Sequence, residues 1–410
     1  MKRSFFVVFL IMILMVSGCA TALEEEQALP EAASVEPPAL EEAAASPDED
    51  VFIAGIAEIQ KYGNITLAMP FSVLSDAGFE FGDMLKVALN GKEDIVPLCT
   101  NYSDVDTGSK VVRVKGDTVI VAINMGDYAT EAGIAEKVKA DDGSVTWVFP
   151  EGKDIGSFSV ALSMAEKGGY RDEYLMHQLE RTNDRKDYES DEVFANFRNI
   201  RFGDMGEGTL WRSSSPVNDE LGRASFADDL IEKHGIKTVV NLADSGEKIL
   251  GYAGKEGFDS LYYLTLYFRG GVRALDLGVD FAAEDFRKGL AEGLRFIAGN
   301  DGPYLIHCTE GKDRAGFTAM LLSAYMGATY DEIVDDYMKS YENYYHLEKG
   351  SEQWNAVRDS NIVKELELLT GSSEPEKCDL REAAERYVED LGFSLVEMGL
   401  LREHLWETWD

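Results

Sequence analysis

The stretch Tyr304–Gly327, YLIHCTEGKDRAGFTAMLLSAYMG, joins a short apolar run to an apolar helix through a loop that holds Cys308 and Arg314. Tyr304–His307 reads as a buried strand, and Gly311 marks a turn before helical spacing begins. A strand end, a turn and a helix start in that order build an anion site, because N–H groups of the loop and of the first helical turn converge. The same surroundings favour a thiolate at Cys308, and a guanidinium after five intervening residues can clamp two phosphoryl oxygens. The plain structural alternative is a buried cysteine at a glycine turn with a solvated Lys312-Asp313-Arg314. No GxxxxGK[ST] stretch supports a nucleotide loop instead.

Outward from this loop, the chain after about Asn196 alternates strands and helices. IKTVVNL and LYYLTLYF read as strands and Phe281–Ala298 as a helix. The expected fold for residues 196–410 is an α/β domain whose parallel or mixed sheet is flanked by helices. Its tail carries an acidic aromatic helix, TYDEIVDDYMKSYENYY, and a helical hairpin broken near Gly392. Tyr337, Tyr341 and Tyr344 recur at helical spacing and read as packing residues.

Residues 51–165 have a different rhythm. VFIAGIAEI, NITLAM, MLKVALNG, SKVVRVKG, TVIVAINM and SVTWVF are β-prone runs cut by Asp, Gly and Asn, which predicts a small all-β barrel or sandwich. KYGNITL, FGDMLKVALNG, NYSDVDTG and VAINMGDYA in this region resemble the small β-domain of adenosylmethionine-dependent hydroxide adenosyltransferases. That resemblance implies architecture and no activity. Cys99 reads as strand packing, and residues 166–195 as a connector.

The N-terminus carries Lys2 and Arg3 before an apolar run from Phe5 to Val16, too short to span a membrane and typical of a signal peptide. Val16-Ser17-Gly18-Cys19 resembles a bacterial lipobox, so residues 1–19 are expected to be a lipoprotein signal with Cys19 lipidated. Residues 20–50 are acidic and proline-containing, an extended tether of at most about 100 Å. The expected location is extracytoplasmic and membrane-anchored, with an envelope partner a role open to the β-domain. The net charge of −36 repels nucleic acid, and any phosphate site must be locally positive. Four scattered cysteines and five dispersed histidines suggest neither a disulfide framework nor a metal site, and no cofactor is implied.

HCTEGKDRAG, His307–Gly316, resembles the signature loop of the cysteine-dependent tyrosine phosphatases, and Gly311-Lys312-Asp313-Arg314 is most similar to bacterial tyrosine, dual-specificity and phosphoinositide members. NFRNIRFGDMGEGTLWRSSSP and YVEDLGFSLVEMGLLREHL extend the likeness from about Phe194 to the C-terminus. The resemblance implies that Cys308 attacks phosphorus to form a cysteinyl-phosphate and that Arg314 stabilises the equatorial oxygens. It implies Asp313 as the acid, then base, with Asp276 and Asp280 as alternatives on RGGVRALDLGVD, and Lys312 as charge for a second phosphate. Thr309, Glu310, Gly311 and Ala315 would offer backbone N–H groups; Glu310 places a carboxylate beside the anion site unless its side chain points outward. Arg269 and Arg273 are either substrate-binding or solvated; Arg212 reads as fixing the loop or the sheet edge, and His307 as holding the loop through hydrogen bonds. Substrates would be phosphotyrosine proteins, phosphoinositides or inositol phosphates. Ala315 departs from the family's usual hydroxyl residue, which slows hydrolysis of the intermediate or leaves a module that binds phosphorylated ligands.

Overall fold

The computed structural model describes residues 50–409; Cys19, the expected signal and all of the tether but Asp50 lie outside them. Alternating burial drives the first half. Strands β1 (Phe52–Ile59), β2 (Ile65–Pro70) and β3 (Met84–Leu89) turn every second side chain inward, as Leu85, Val87 and Leu89 do, whereas β4 (Lys92–Cys99), β5 (Lys110–Lys115) and β6 (Thr118–Ile123) carry consecutive buried residues. A hairpin, β7 (Glu136–Lys139) and β8 (Val145–Val148), stands apart as its own two-stranded sheet. Strand β9 (Ser159–Glu166) pairs with both β3 and β1, which closes a barrel in the order β1-β2-β6-β5-β4-β3-β9. Closure removes free strand edges. Cys99 lies fully buried in this half, and burial, then the nearby Asp104, pushes its thiol far up.

The connector is folded. Helix α1 (Arg171–His177) packs on the helical tail, where Arg171 clamps Glu352 with two 2.8 Å contacts, and a short α2 (Asp191–Phe194) leads into the sheet. The sheet runs β10 (Arg198–Ile200), β11 (Leu210–Ser213), β14 (Tyr304–His307), β12 (Thr238–Asn241) and β13 (Val272–Ala274) in space. Along the chain it continues through α3 (Ala224–Lys233), β12 (Thr238–Asn241), α4 (Gly246–Ala253), α5 (Leu261–Phe268), β13 (Val272–Ala274), α6 (Glu284–Ala298) and β14 (Tyr304–His307). Only β10 is antiparallel, so the sheet is mixed. Strand β14 sits between β11 and β12 and is buried along its whole length, which is why it reads as an unbroken apolar run.

LYYLTLYF is a helix, not the expected strand. Its buried residues, Tyr263 and Leu266, are three apart, and its first turn is capped by the Asp228 carboxylate of α3, which accepts from Tyr262 N and Tyr263 N at 3.0 and 2.7 Å. After β14 come α7 (Asp313–Tyr325), α8 (Tyr330–Tyr345), α9 (Glu352–Ser360), α10 (Ile362–Thr370), α11 (Leu380–Asp390) and α12 (Leu395–Trp406). From Ala315 to Tyr325 every residue of α7 is buried, as expected of a helix wrapped on all sides.

Candidate active site

The carboxyl ends of β11, β14 and β12 meet at the loop Cys308–Lys312, and Asp313 opens α7. The loop's carbonyl groups are all tied to the scaffold. Ser215 N donates to Thr309 O (3.1 Å), and Asn196 Nδ2 and Tyr344 Oη donate to Glu310 O (3.1 and 2.8 Å). Arg212 Nη2 donates to Gly311 O (2.7 Å) and Lys312 O (3.0 Å), and Gly316 N also reaches Lys312 O (2.8 Å). Because C=O and N–H point oppositely across a trans peptide, fastening the carbonyls outward turns the N–H groups inward. This is how a loop becomes an anion nest.

Glycine is required at two points. Gly311 has φ +68°, and a Cβ there would lie 2.2 Å from Ser213 O. A Cβ on Gly316 would lie 2.7 Å from the Tyr337 ring and 3.1 Å from Arg212 Nη2. Arg212 is fully buried, and its charge is met by Asp336, whose two oxygens take Arg212 Nη1 and Arg198 Nε at 2.6 Å each. Burial works against the Asp336 carboxylate, but Arg198 and Arg212 hold its pKa below the ordinary value. Of the loop and the sheet edge, the two supports open to Arg212 from the sequence, the structure shows the loop.

Cys308 is buried at the bottom of the loop. Behind it His307 is also buried, with Nε2 3.3 Å from Tyr263 Oη and Nδ1 3.3 Å from Cys308 O. Burial lowers the imidazole to about 4, so it is neutral near pH 7 and adds no competing charge. Arg314 donates from Nη1 to Leu277 O (2.9 Å) and from Nη2 to Thr309 Oγ1 (3.1 Å), which brings the guanidinium back over the loop. Its Nε is buried with no hydrogen-bond partner among the described residues.

The acids differ in their commitments. Asp313, 43% exposed at the first turn of α7, stands 3.9 Å from Lys312 Nζ. Asp276 pairs with Lys248 at 2.5 Å, and Asp280 accepts from Ala282 N. Arg273 pairs with Glu292 on the surface, and Arg269 is exposed at the end of α5. Ala315 is fully buried, and the nearby Thr318 hydroxyl donates to Arg314 O at 2.9 Å, committed to its own helix.

Of the two placements open to the Glu310 side chain, beside the anion site or outward, the structure shows the first. It is folded in, 14% exposed, between Arg181 Nη1 (2.5 Å) and Lys312 Nζ (3.2 Å). Lys312 is therefore not a free charge at the rim. Its ammonium also lies 5.0 Å from the Tyr341 ring centroid. Arg181, from the connector, and Tyr344, whose hydroxyl holds Glu310 O, were not expected to reach the loop. No local pattern marks either contact, because each depends on how distant elements pack.

Residues 203–407, half of the chain, match the tyrosine phosphatase family. The chain is similar to a protein of Cupriavidus necator provisionally named a tyrosine-protein phosphatase, with 31% identity over 153 residues. That match covers 33% of this chain and 54% of the relative, so the chain spans about half of the length of the curated protein that it matches. A solved structure of an uncharacterized conserved protein from Thermotoga maritima is 19% identical, with a TM-score of 0.24 over 32% of this chain and 42% of that one. A likeness that small carries no argument.

Proposed function

The chain belongs to the tyrosine phosphatase family, and from that premise we propose that it hydrolyses phosphate monoesters through a cysteinyl-phosphate. The observation that carries this reading is the loop whose carbonyls are all held outward while Cys308 and Arg314 stand at its two ends. The Cys308 sulfur attacks phosphorus as the ester P–O bond breaks, and Asp313 gives its proton to the leaving oxygen. Water then attacks phosphorus, returning its proton to Asp313 and the electron pair to sulfur. Arg314 and the loop N–H groups hold the equatorial oxygens throughout.

Phosphotyrosine proteins, inositol phosphates and phosphoinositides are the substrates that such a loop can take. The same proposal places the chain outside the cytoplasmic membrane, anchored through lipid on Cys19, with the barrel free to meet an envelope partner. Phosphate release measured across those three substrates tests the activity. Turnover on none of them, with retained binding of a phosphopeptide, would instead establish a phospho-ligand binding module. Ala315 is the residue that favours that second reading.

Two outcomes follow from the loop. Asp313→Asn should slow hydrolysis of an alkyl phosphate by about 10²- to 10⁴-fold and that of a nitrophenyl phosphate much less, since only a poor leaving group needs the proton. The opposite assignment holds if Asp276→Asn or Asp280→Asn shows this leaving-group dependence and Asp313→Asn does not. At Ala315 the missing hydroxyl should make breakdown of the intermediate limiting, so rapid mixing with nitrophenyl phosphate gives a burst and then a slower steady rate. Ala315→Thr should raise the steady rate and leave the burst rate unchanged. A wild type without a burst refutes this.

A further inference from the structure

One buried charge cluster at the loop is not used by the reaction just described. The Glu310 carboxylate is divided between two cations, Oε1 to Arg181 and Oε2 to Lys312, and the three side chains are 14%, 15% and 6% exposed respectively. Both cations are fixed from behind. The Arg181 guanidinium lies 5.5 Å from the Tyr344 ring centroid, and the Lys312 ammonium packs 5.0 and 5.6 Å from the Tyr341 and Tyr345 ring centroids. Tyr344 also donates to Glu310 O, so the same helix face positions both the loop and the cations.

We propose that Arg181 and Lys312 form a second anion site beside the phosphate loop, and that Glu310, seated between them, closes it to a substrate's second phosphate. A phosphoryl group and a carboxylate ask the same of such a site: two or more oxygens, negative charge and a pair of facing cationic donors. Here the acceptor is supplied by the chain itself. With Glu310 in place one positive charge of the two is cancelled. A neighbouring phosphate would therefore have to expel a buried carboxylate and then sit beside the charge it had displaced.

This inference rests on the phosphatase reading and narrows it. The favoured substrates carry one phosphate, or a second one too distant to reach Arg181 and Lys312. Phosphotyrosine and monophosphorylated inositols meet that condition, whereas vicinal bisphosphates do not.

The test compares an inositol monophosphate with its vicinal bisphosphate. Dissociation constants are read by calorimetry in the Cys308→Ser background and kcat/KM in protein with Cys308 intact. Glu310→Gln, and separately Glu310→Ala, should shift both ratios toward the bisphosphate by about tenfold or more, since close charge pairs couple by amounts of that order. Adding Arg181→Met to either variant should remove most of that gain. Melting curves identify a variant that has lost its fold, and the other Glu310 substitution then carries the comparison. Binding ratios within about twofold of the Glu310 parent overturn the second site, even if the monophosphate is turned over. Absence of turnover in every protein with Cys308 intact strikes the phosphatase reading instead, while the binding ratio still decides the role of Glu310.

Discussion

Replacing Cys308 by serine should lower phosphate release from an aryl phosphate on the order of 10⁴-fold or more, while affinity for a phosphorylated ligand changes little. The two effects separate because nucleophile and cradle are built from different groups. Attack needs the sulfur of Cys308, and a serine hydroxyl at neutral pH is a much weaker nucleophile. The cradle is held by Arg212, Asn196, Tyr344 and Ser215, none of which bonds the cysteine side chain. The loss should fall on kcat, with KM or a directly measured dissociation constant for phosphopeptide nearly unchanged. A variant that keeps a tenth or more of wild-type turnover would remove Cys308 from the chemistry.

The second large effect is on folding. Asp336→Ala should destabilise the protein by about 3 to 5 kcal/mol, because it strands the buried guanidinium groups of Arg212 and Arg198 without their shared carboxylate. It should also loosen the loop, since Arg212 holds Gly311 O and Lys312 O only where its own charge is met. Urea denaturation followed by tryptophan fluorescence measures the first effect, and phosphate affinity under native conditions the second. The pH dependence has a definite sign. A carboxylate whose folded pKa is depressed contributes stability that is present above its unfolded value near about 4 and lost as pH falls through the folded value. Asp336→Ala should therefore flatten the acid limb of the stability profile. A loss under about 1 kcal/mol would mean that the pair is not the anchor of the loop.

What the sequence makes legible is what is local. Cys308, Gly311 and Arg314 fall within seven consecutive residues, and the strand before and helix after them follow from unbroken burial on both sides. Short β-prone runs cut by turn residues mark five of the seven barrel strands, β1, β2, β3, β5 and β6. The miss at LYYLTLYF has a cause at a distance: eight residues, apolar but for Thr265, fit either a buried strand or a helix, and the cap that decides between them, Asp228, lies in another helix. Glu310 is the same problem at the site. Its side chain turns inward because Arg181 arrives from the connector, and nothing in HCTEGKDRAG records that arrival. Arg212 was legible as a support, but its partner Asp336 sits in an acidic helix where several carboxylates look alike.

On the proposed route, phosphate passes through the sulfur of Cys308. Mixing the protein with nitrophenyl phosphate, quenching in acid during the first turnover and sequencing the peptides by mass spectrometry tests it directly. The predicted result is phosphate on the peptide that contains Cys308, lost on further incubation before the quench and never formed in Cys308→Ser. Phosphate released in that first turnover with no phosphorylated Cys308 peptide, or with the label on another residue, would contradict it.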